Sequence, residues 1–244
     1  MFKKLMFNLG MLVTLSFGDT FEDALNATKK EDYKTAFVLW ENIASKGDKN
    51  AQYNLGIMYQ NGLGVRQDLK KAIEWYKKSA NQNHPISQYN LGVMYADGIG
   101  LKQNYGQAIK LLKKSANQGY AKAQFNLALM YANAQGVDQD LKMAFELYEK
   151  SANQGLAEAQ FNLGVMYYEG KGIEQNYKNA FNLYEKSANQ GYPEAQVNLG
   201  TMYIVHQEIV EKDYKKAKEL FGKACDNGFQ VGCNYFKILN QQGH

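Results

Sequence analysis

Apolar and small residues recur along most of this chain at α-helical spacing, and two such patterns alternate. The first reads AQYNLGIMY over residues 51–59, with Ala51, Leu55, Met58 and Tyr59 at i, i+4, i+7 and i+8. It returns at residues 87–95, 123–131, 159–167 and 195–203, each copy 36 residues after the last. The second places Ala72, Trp75, Tyr76, Ser79 and Ala80 at i, i+3, i+4, i+7 and i+8, and Ala36, Ala72, Ala108, Ala144 and Ala180 keep the same spacing of 36. Both patterns predict amphipathic helices. A strict period over most of the chain is that of stacked units sharing one core, so the expected fold class is all-α, a solenoid of helix-turn-helix repeats in one continuous array. Small residues alternate with large ones, which lets Gly56 or Ala72 admit a bulky side chain from the neighbouring helix.

The connections follow the same period. NGLGV, DGIGL and EGKGI join the two helices of a unit with paired glycines, whereas the third copy has Ala134 and Gly136. Between units the second helix is expected to stop at Gly119, Gly155 and Gly191, with Asn83 as the substitute in a left-handed cap. Pro85 and Pro193 then fall in the first turn of the next helix, where proline is tolerated. The last unit departs from the rule: it loses both loop glycines, to His206 and Glu208, and gains one residue before Ala217. A final helix over residues 229–239 is expected to be more polar and to end the core against water.

The N-terminus carries two lysines, then an apolar run over residues 5–17 that is 13 residues long. A membrane-spanning helix needs about 20, so a secretory signal peptide over residues 1–18 is expected, with Ser16 and Gly18 before the cut. A retained membrane anchor is the alternative. After cleavage no integral span is expected, and the protein is placed in the periplasm or outside the cell. The resulting division is residues 19–48 as N-terminal capping helices, 49–228 as five repeats, and 229–244 as a capping helix and tail.

Composition narrows the functions. The formal charge is +4 and the lone arginine is Arg66, which gives no nucleic-acid footprint, since phosphate recognition favours the guanidinium fork. The lysines alternate with acidic residues along helices, as on a solvated face. Cys225 and Cys233 flank the last turn. An even count in an exported chain argues for a disulfide, which in so short a loop contributes about 2 to 3 kcal/mol; two buried thiols are the alternative.

The pattern A-x-x-N-L-G-x-M-Y-x-x-G-x-G-V, followed by K-A-x-x-W-Y and S-A-x-x-G, resembles the Sel-like repeat (SLR) of the tetratricopeptide superfamily, over residues 32–240. The resemblance implies helix-turn-helix units coiled into a right-handed superhelix that serves as a scaffold for protein contacts. The last unit also resembles bacterial cysteine-rich SLR proteins, although Ala188 and Gln196 stand one repeat earlier where those carry cysteines.

Some cysteine-rich members of the family bind or hydrolyse β-lactams, so a cell-wall-associated enzyme or β-lactam binder is a competing expectation, and a secreted effector engaging host proteins is another. The S-x-x-K arrangement that activates a serine is missing: Ser79, Ser115, Ser151 and Ser187 each have Gln three residues on. They are expected to pack or cap. His84, His206 and His244 are scattered, with His206 expected to be exposed, and no metal or cofactor is expected. What remains is a surface. Tyr53, Tyr89, Phe125, Phe161 and Val197 form one file, and Asn54, Asn90, Asn126, Asn162 and Asn198 another. The resemblance places the asparagines in the concave groove, where an amide can both donate to and accept from the backbone of an extended peptide. The expected activity is noncovalent binding of a protein or peptide by a monomer, without catalysis; the same files can equally serve packing between helices.

Overall fold

The computed structural model describes residues 20–243. The signal segment expected at residues 1–18, and His244, lie outside the described residues. Among the described residues the chain forms 13 helices and no strand. It divides into two compact units, Met1–Gln82 and Asn83–His244.

The first unit contains α1 (Phe21–Lys29), α2 (Tyr33–Ser45), α3 (Lys49–Asn61) and α4 (Leu69–Asn81). The second contains α5 (Pro85–Asp97), α6 (Tyr105–Asn117), α7 (Ala121–Ala132), α8 (Leu141–Asn153), α9 (Ala157–Glu169), α10 (Tyr177–Asn189), α11 (Pro193–Val205), α12 (Tyr214–Asp226) and α13 (Gln230–Gln241). Within each unit every helix packs on the one before and the one after it in sequence.

Helix ends explain the near-constant length. Asp68, Asn104, Asp140, Asn176 and Asp213 each accept a backbone N–H of the first turn of the helix that follows, which satisfies a donor the helix itself leaves open. Three NLG-type helices end in left-handed glycines, Gly62, Gly98 and Gly170. Asn83 has φ 62° and Ala134 φ 54°, so asparagine takes the cap position expected of it and alanine is held in the left-handed region at the third loop. Pro85 and Pro193 open α5 and α11.

The core repeats with the sequence. Ala36, Ala72, Ala108, Ala144, Ala180 and Ala217 are wholly buried. The glycine of NLG lets the paired helix approach: a Cβ on Gly164 would stand 2.8 Å from the Tyr184 ring, and one on Gly200 2.7 Å from Phe221. Tyr184 and Phe221 are themselves buried, so the missing methyl is the space their rings fill.

A polar ladder runs beside this core. Ser79, Ser115, Ser151 and Ser187 are fully buried. Each donates to a backbone carbonyl 30 residues earlier, at Lys49, Pro85, Ala121 and Ala157, over 2.7 to 2.9 Å. One turn further on, Gln82, Gln118, Gln154 and Gln190 donate to the buried side-chain oxygens of Gln52, Gln88, Gln124 and Gln160 at 2.7 to 2.8 Å. In the last repeat Asn227 stands in for the donor and reaches Gln196 at 3.5 Å.

One expectation is met with a qualification and another needs correction. The final helix is more polar than α11, the NLG-type helix before it, yet Val231, Tyr235 and Ile238 are exposed on α13. The one-residue gain puts Tyr235 and Ile238 where Asn198 and Thr201 stand one repeat earlier, and Tyr235 stacks on Phe221 at 5.1 Å. His206, expected to be exposed, is not. Its side chain is only 12% accessible because the lost loop glycines let it fold against Tyr168 and Tyr177. Cys225 and Cys233 form a disulfide between α12 and α13, with Cα atoms 4.5 Å apart.

Candidate peptide-binding surface

The two files come from the second turns of the NLG-type helices, one residue apart, so each Asn lies beside an aromatic or aliphatic neighbour. In the first unit Tyr53 and Asn54 are half-buried on α3, with Tyr53 6.2 Å from Tyr76. In the second unit Tyr89, Asn90, Phe125, Asn126, Phe161, Asn162 and Asn198 are all half-buried, and Val197 is buried. The aromatic members also pack: Phe125 lies 5.8 Å from Tyr148 and Phe161 5.8 Å from Tyr184. Tyr89 meets the edge of Tyr120 at 5.2 Å, and Phe161 meets Tyr192 at the same distance. Tyr120 and Tyr192 are the residues just before α7 and α11, so the surface joins successive NLG-type helices.

The asparagines divide. Asn126 hydrogen-bonds the Tyr89 phenol, Asn198 bonds the Tyr184 phenol, and Asn162 donates to the Glu158 carbonyl of its own helix at 2.8 Å. Among the described residues, Asn54 and Asn90 keep their amides clear of intramolecular partners. The file is thus structural in its later members and open in its earlier ones.

The electrostatics follow burial. Burial pushes the Tyr89 phenol above its ordinary 10.0; Tyr120, Glu158 and Asp97 push the same way, and the Asn126 hydrogen bond opposes them. Tyr192 is raised by burial and then by Glu194 and Glu158. Burial likewise raises Tyr184, with Tyr168 and Glu169 adding to it and Asn198 opposing. A cleft of about 110 Å³ lies beside Tyr184, lined also by Tyr168, Asn198, Thr201 and Met202. Next to it His206 bridges the exposed Glu208, 2.6 Å from Nδ1, and the Tyr168 hydroxyl, 3.1 Å from Nε2.

For chemistry of other kinds the placements are specific. The four repeat serines spend their hydroxyls on carbonyls inside the core, which accounts for their presence in successive units. His84 caps α5, its Nδ1 accepting from the Ser87 backbone N–H. Among the described residues no group of three or more His, Cys, Asp or Glu side chains is placed to hold a metal ion. No described helix is long and apolar enough to cross a membrane.

Sequence reasoning overlooked several partners. The buried glutamines of the ladder were visible as the Q of A-Q-x-N-L-G and the Q of S-A-N-Q, both repeating in register. Tyr120 and Tyr192, which wall the surface, sit in the inter-unit turn and carried no motif. The His206–Tyr168 contact joins residues 38 apart, and only the loss of the loop glycines hinted at it.

Comparison with known proteins agrees with this geometry. A family model described as the Sel1 repeat matches residues 49–84, 85–120, 121–156, 157–192 and 193–229. Comparison with curated proteins found no match. Among solved structures, c5321, a protective antigen present in uropathogenic Escherichia coli strains and displaying an SLR fold, is 31% identical with a TM-score of 0.82. The match covers 91% of this chain and 48% of that one, so this chain spans about half the length of that relative. A Sel1 repeat protein from Oxalobacter formigenes is 30% identical with a TM-score of 0.80, covering 86% of this chain and 85% of that one. A third, a putative Sel1 repeat protein from Klebsiella pneumoniae subsp. pneumoniae, shares the fold at 24% identity and a TM-score of 0.52, covering 82% of this chain and 97% of that one. Five matched repeats in register with the observed helix pairs make this chain a member of the Sel1 repeat family, an all-α solenoid of the tetratricopeptide-like superfamily.

Proposed function

We propose that this protein is an exported repeat scaffold, periplasmic or secreted, that binds a protein or extended peptide on the surface formed by the second turns of α5, α7, α9 and α11. The observation that carries this reading is the row of half-buried rings and amides in the second unit, in which Asn90 keeps its amide unengaged beside Tyr89. Rings supply contact area, and an open amide supplies the paired donor and acceptor that a peptide backbone needs. Tyr53 and Asn54 form the corresponding pair in the first unit. The Cys225–Cys233 disulfide supports an oxidising compartment.

The test is to pan a random peptide display library on the immobilised full chain. The reading predicts an enriched pool whose binding is lost in Asn90→Ala and Tyr89→Ala variants that keep the parental melting temperature. A pool that binds both variants undiminished would place the peptide site elsewhere.

A further inference from the structure

We propose that the second unit's surface selects peptides carrying a cationic side chain, lysine or arginine, which enters between the Tyr89–Tyr120 and Phe161–Tyr192 ring pairs and meets Glu158. This deepens the peptide-binding reading above and rests on it.

The ring pairs, each 5.2 Å between centroids, are half-buried, one T-shaped and one tilted, so each leaves part of its aromatic surface accessible. Glu158, half-buried in the first turn of α9, stands three residues before Phe161 and so on the same helix face as that ring, and its charge adds to the raised Tyr89 and Tyr192 phenols. Glu194 adds its charge at Tyr192, and Asp97 at Tyr89. Among the described residues none of these three carboxylates forms an ion pair. In the same register as Glu158 and Glu194, α7 carries a single opposing charge, the exposed Lys122. A net negative, aromatic surface on a chain whose formal charge is +4 is a local reversal.

The protein's own ammonium groups show what such rings attract. Lys78 sits 3.8 Å from the Trp75 ring centre and Lys113 5.5 Å from that of Tyr131. Among the described residues no lysine covers Tyr89, Tyr120, Phe161 or Tyr192. The helix macrodipole favours an acidic residue at the start of α9 and α11, but it does not call for aromatic walls around it. Rings and an unpaired carboxylate together are the chemistry that holds an organic cation.

The experiment uses the pool recovered by panning. Lysine and arginine should be enriched over the input library. In a synthetic fluorescent copy of a recovered peptide, replacing lysine by norleucine, which keeps the aliphatic stem, should weaken binding by about tenfold or more in an anisotropy titration. In the Glu158→Gln, Glu194→Gln double variant the preference for the lysine peptide should shrink severalfold, the rings and Asp97 being still in place. An Asn90-dependent pool of neutral or acidic peptides, or a lysine preference undiminished in the double variant, overturns the cationic selection and leaves the peptide-binding reading standing. No enriched pool at all overturns both.

Discussion

Replacing Gln154 by Ala tests whether the ladder of amides joins neighbouring repeats or merely decorates them. Gln154 donates to Gln124 Oε1 at 2.7 Å, and Gln124, 6% accessible, donates in turn to the Ala116 carbonyl at 3.2 Å. The two glutamines thus tie the ends of α6 and α8 to the start of α7. Without Gln154 the Gln124 oxygen is left buried with no donor, which costs about 1 to 3 kcal/mol. The second bond lost, to the Lys150 carbonyl, is exposed and adds little. Gln124→Leu leaves Gln154 free to turn to water, and its cost is the lost bond to Ala116 minus the apolar gain. In the double variant, Gln124→Leu with Gln154→Ala, no orphaned oxygen remains, so the costs should not add: the coupling should be about 1 kcal/mol or more, as for directly bonded partners. Because repeat arrays unfold in segments, the assay is native-state hydrogen exchange read on the amides of α7 and α8. Strict additivity of the two single variants would refute the claim that this pair bridges the repeats.

Other outcomes follow from the same structure. Reduction of Cys225–Cys233 should lower the stability of the α12–α13 hairpin by about 2 to 3 kcal/mol, from the entropy of so short a loop; equal exchange protection with and without reductant contradicts this. Gly172 has φ +75° and a Cβ there would stand 2.7 Å from Leu141 Cβ, so Gly172→Ala should cost about 2 to 4 kcal/mol. The same change at Gly155, where a Cβ meets open space, should cost only the left-handed backbone penalty of about 1 to 2 kcal/mol, and denaturation of the two variants compares them. The His206 hydrogen bond holds the Glu208 carboxyl below its ordinary 4.5. A depressed carboxylate pKa gives stability that is present above the ordinary value and lost as pH falls through the folded one. NMR titration should show Glu208 returning to its ordinary range in His206→Ala, and an unmoved titration would contradict the bond.

The period, the helix pairs and their ends were legible because each rests on local rules repeated many times: paired loop glycines such as Gly62 and Gly64, Asn83 as a left-handed end, Pro85 and Pro193 in first turns, and Gly56 leaving room for a bulky neighbour. Cys225 and Cys233 were legible because one short turn separates them. The surface was legible only by register. Spacing aligned Asn90 with Asn126 and Asn162, but it could not tell which amide is engaged across repeats: Asn126 meets the Tyr89 phenol 37 positions earlier, whereas Asn162 has Phe125, with no hydroxyl, at that spacing and turns to the Glu158 carbonyl of its own helix. His206 was misjudged for a related reason. A histidine in a loop reads as exposed unless its ring partners are known, and Tyr168 and Tyr177 lie in the previous repeat. At α13 the polar end was legible, but spacing that assumed 36 residues did not show that Tyr235 and Ile238 take the surface positions held by Asn198 and Thr201 one repeat earlier.

The most direct test is to watch the side-chain amides themselves. With a peptide from the selected pool added to the full chain, NMR of the Asn side-chain NH2 groups should show Asn90 and Asn126 shifting with saturation, while the exposed Asn117, Asn153 and Asn189 at the ends of α6, α8 and α10 stay in place. Shifts confined to Asn117, Asn153 and Asn189, with Asn90 unmoved, would contradict binding on the surface assigned here.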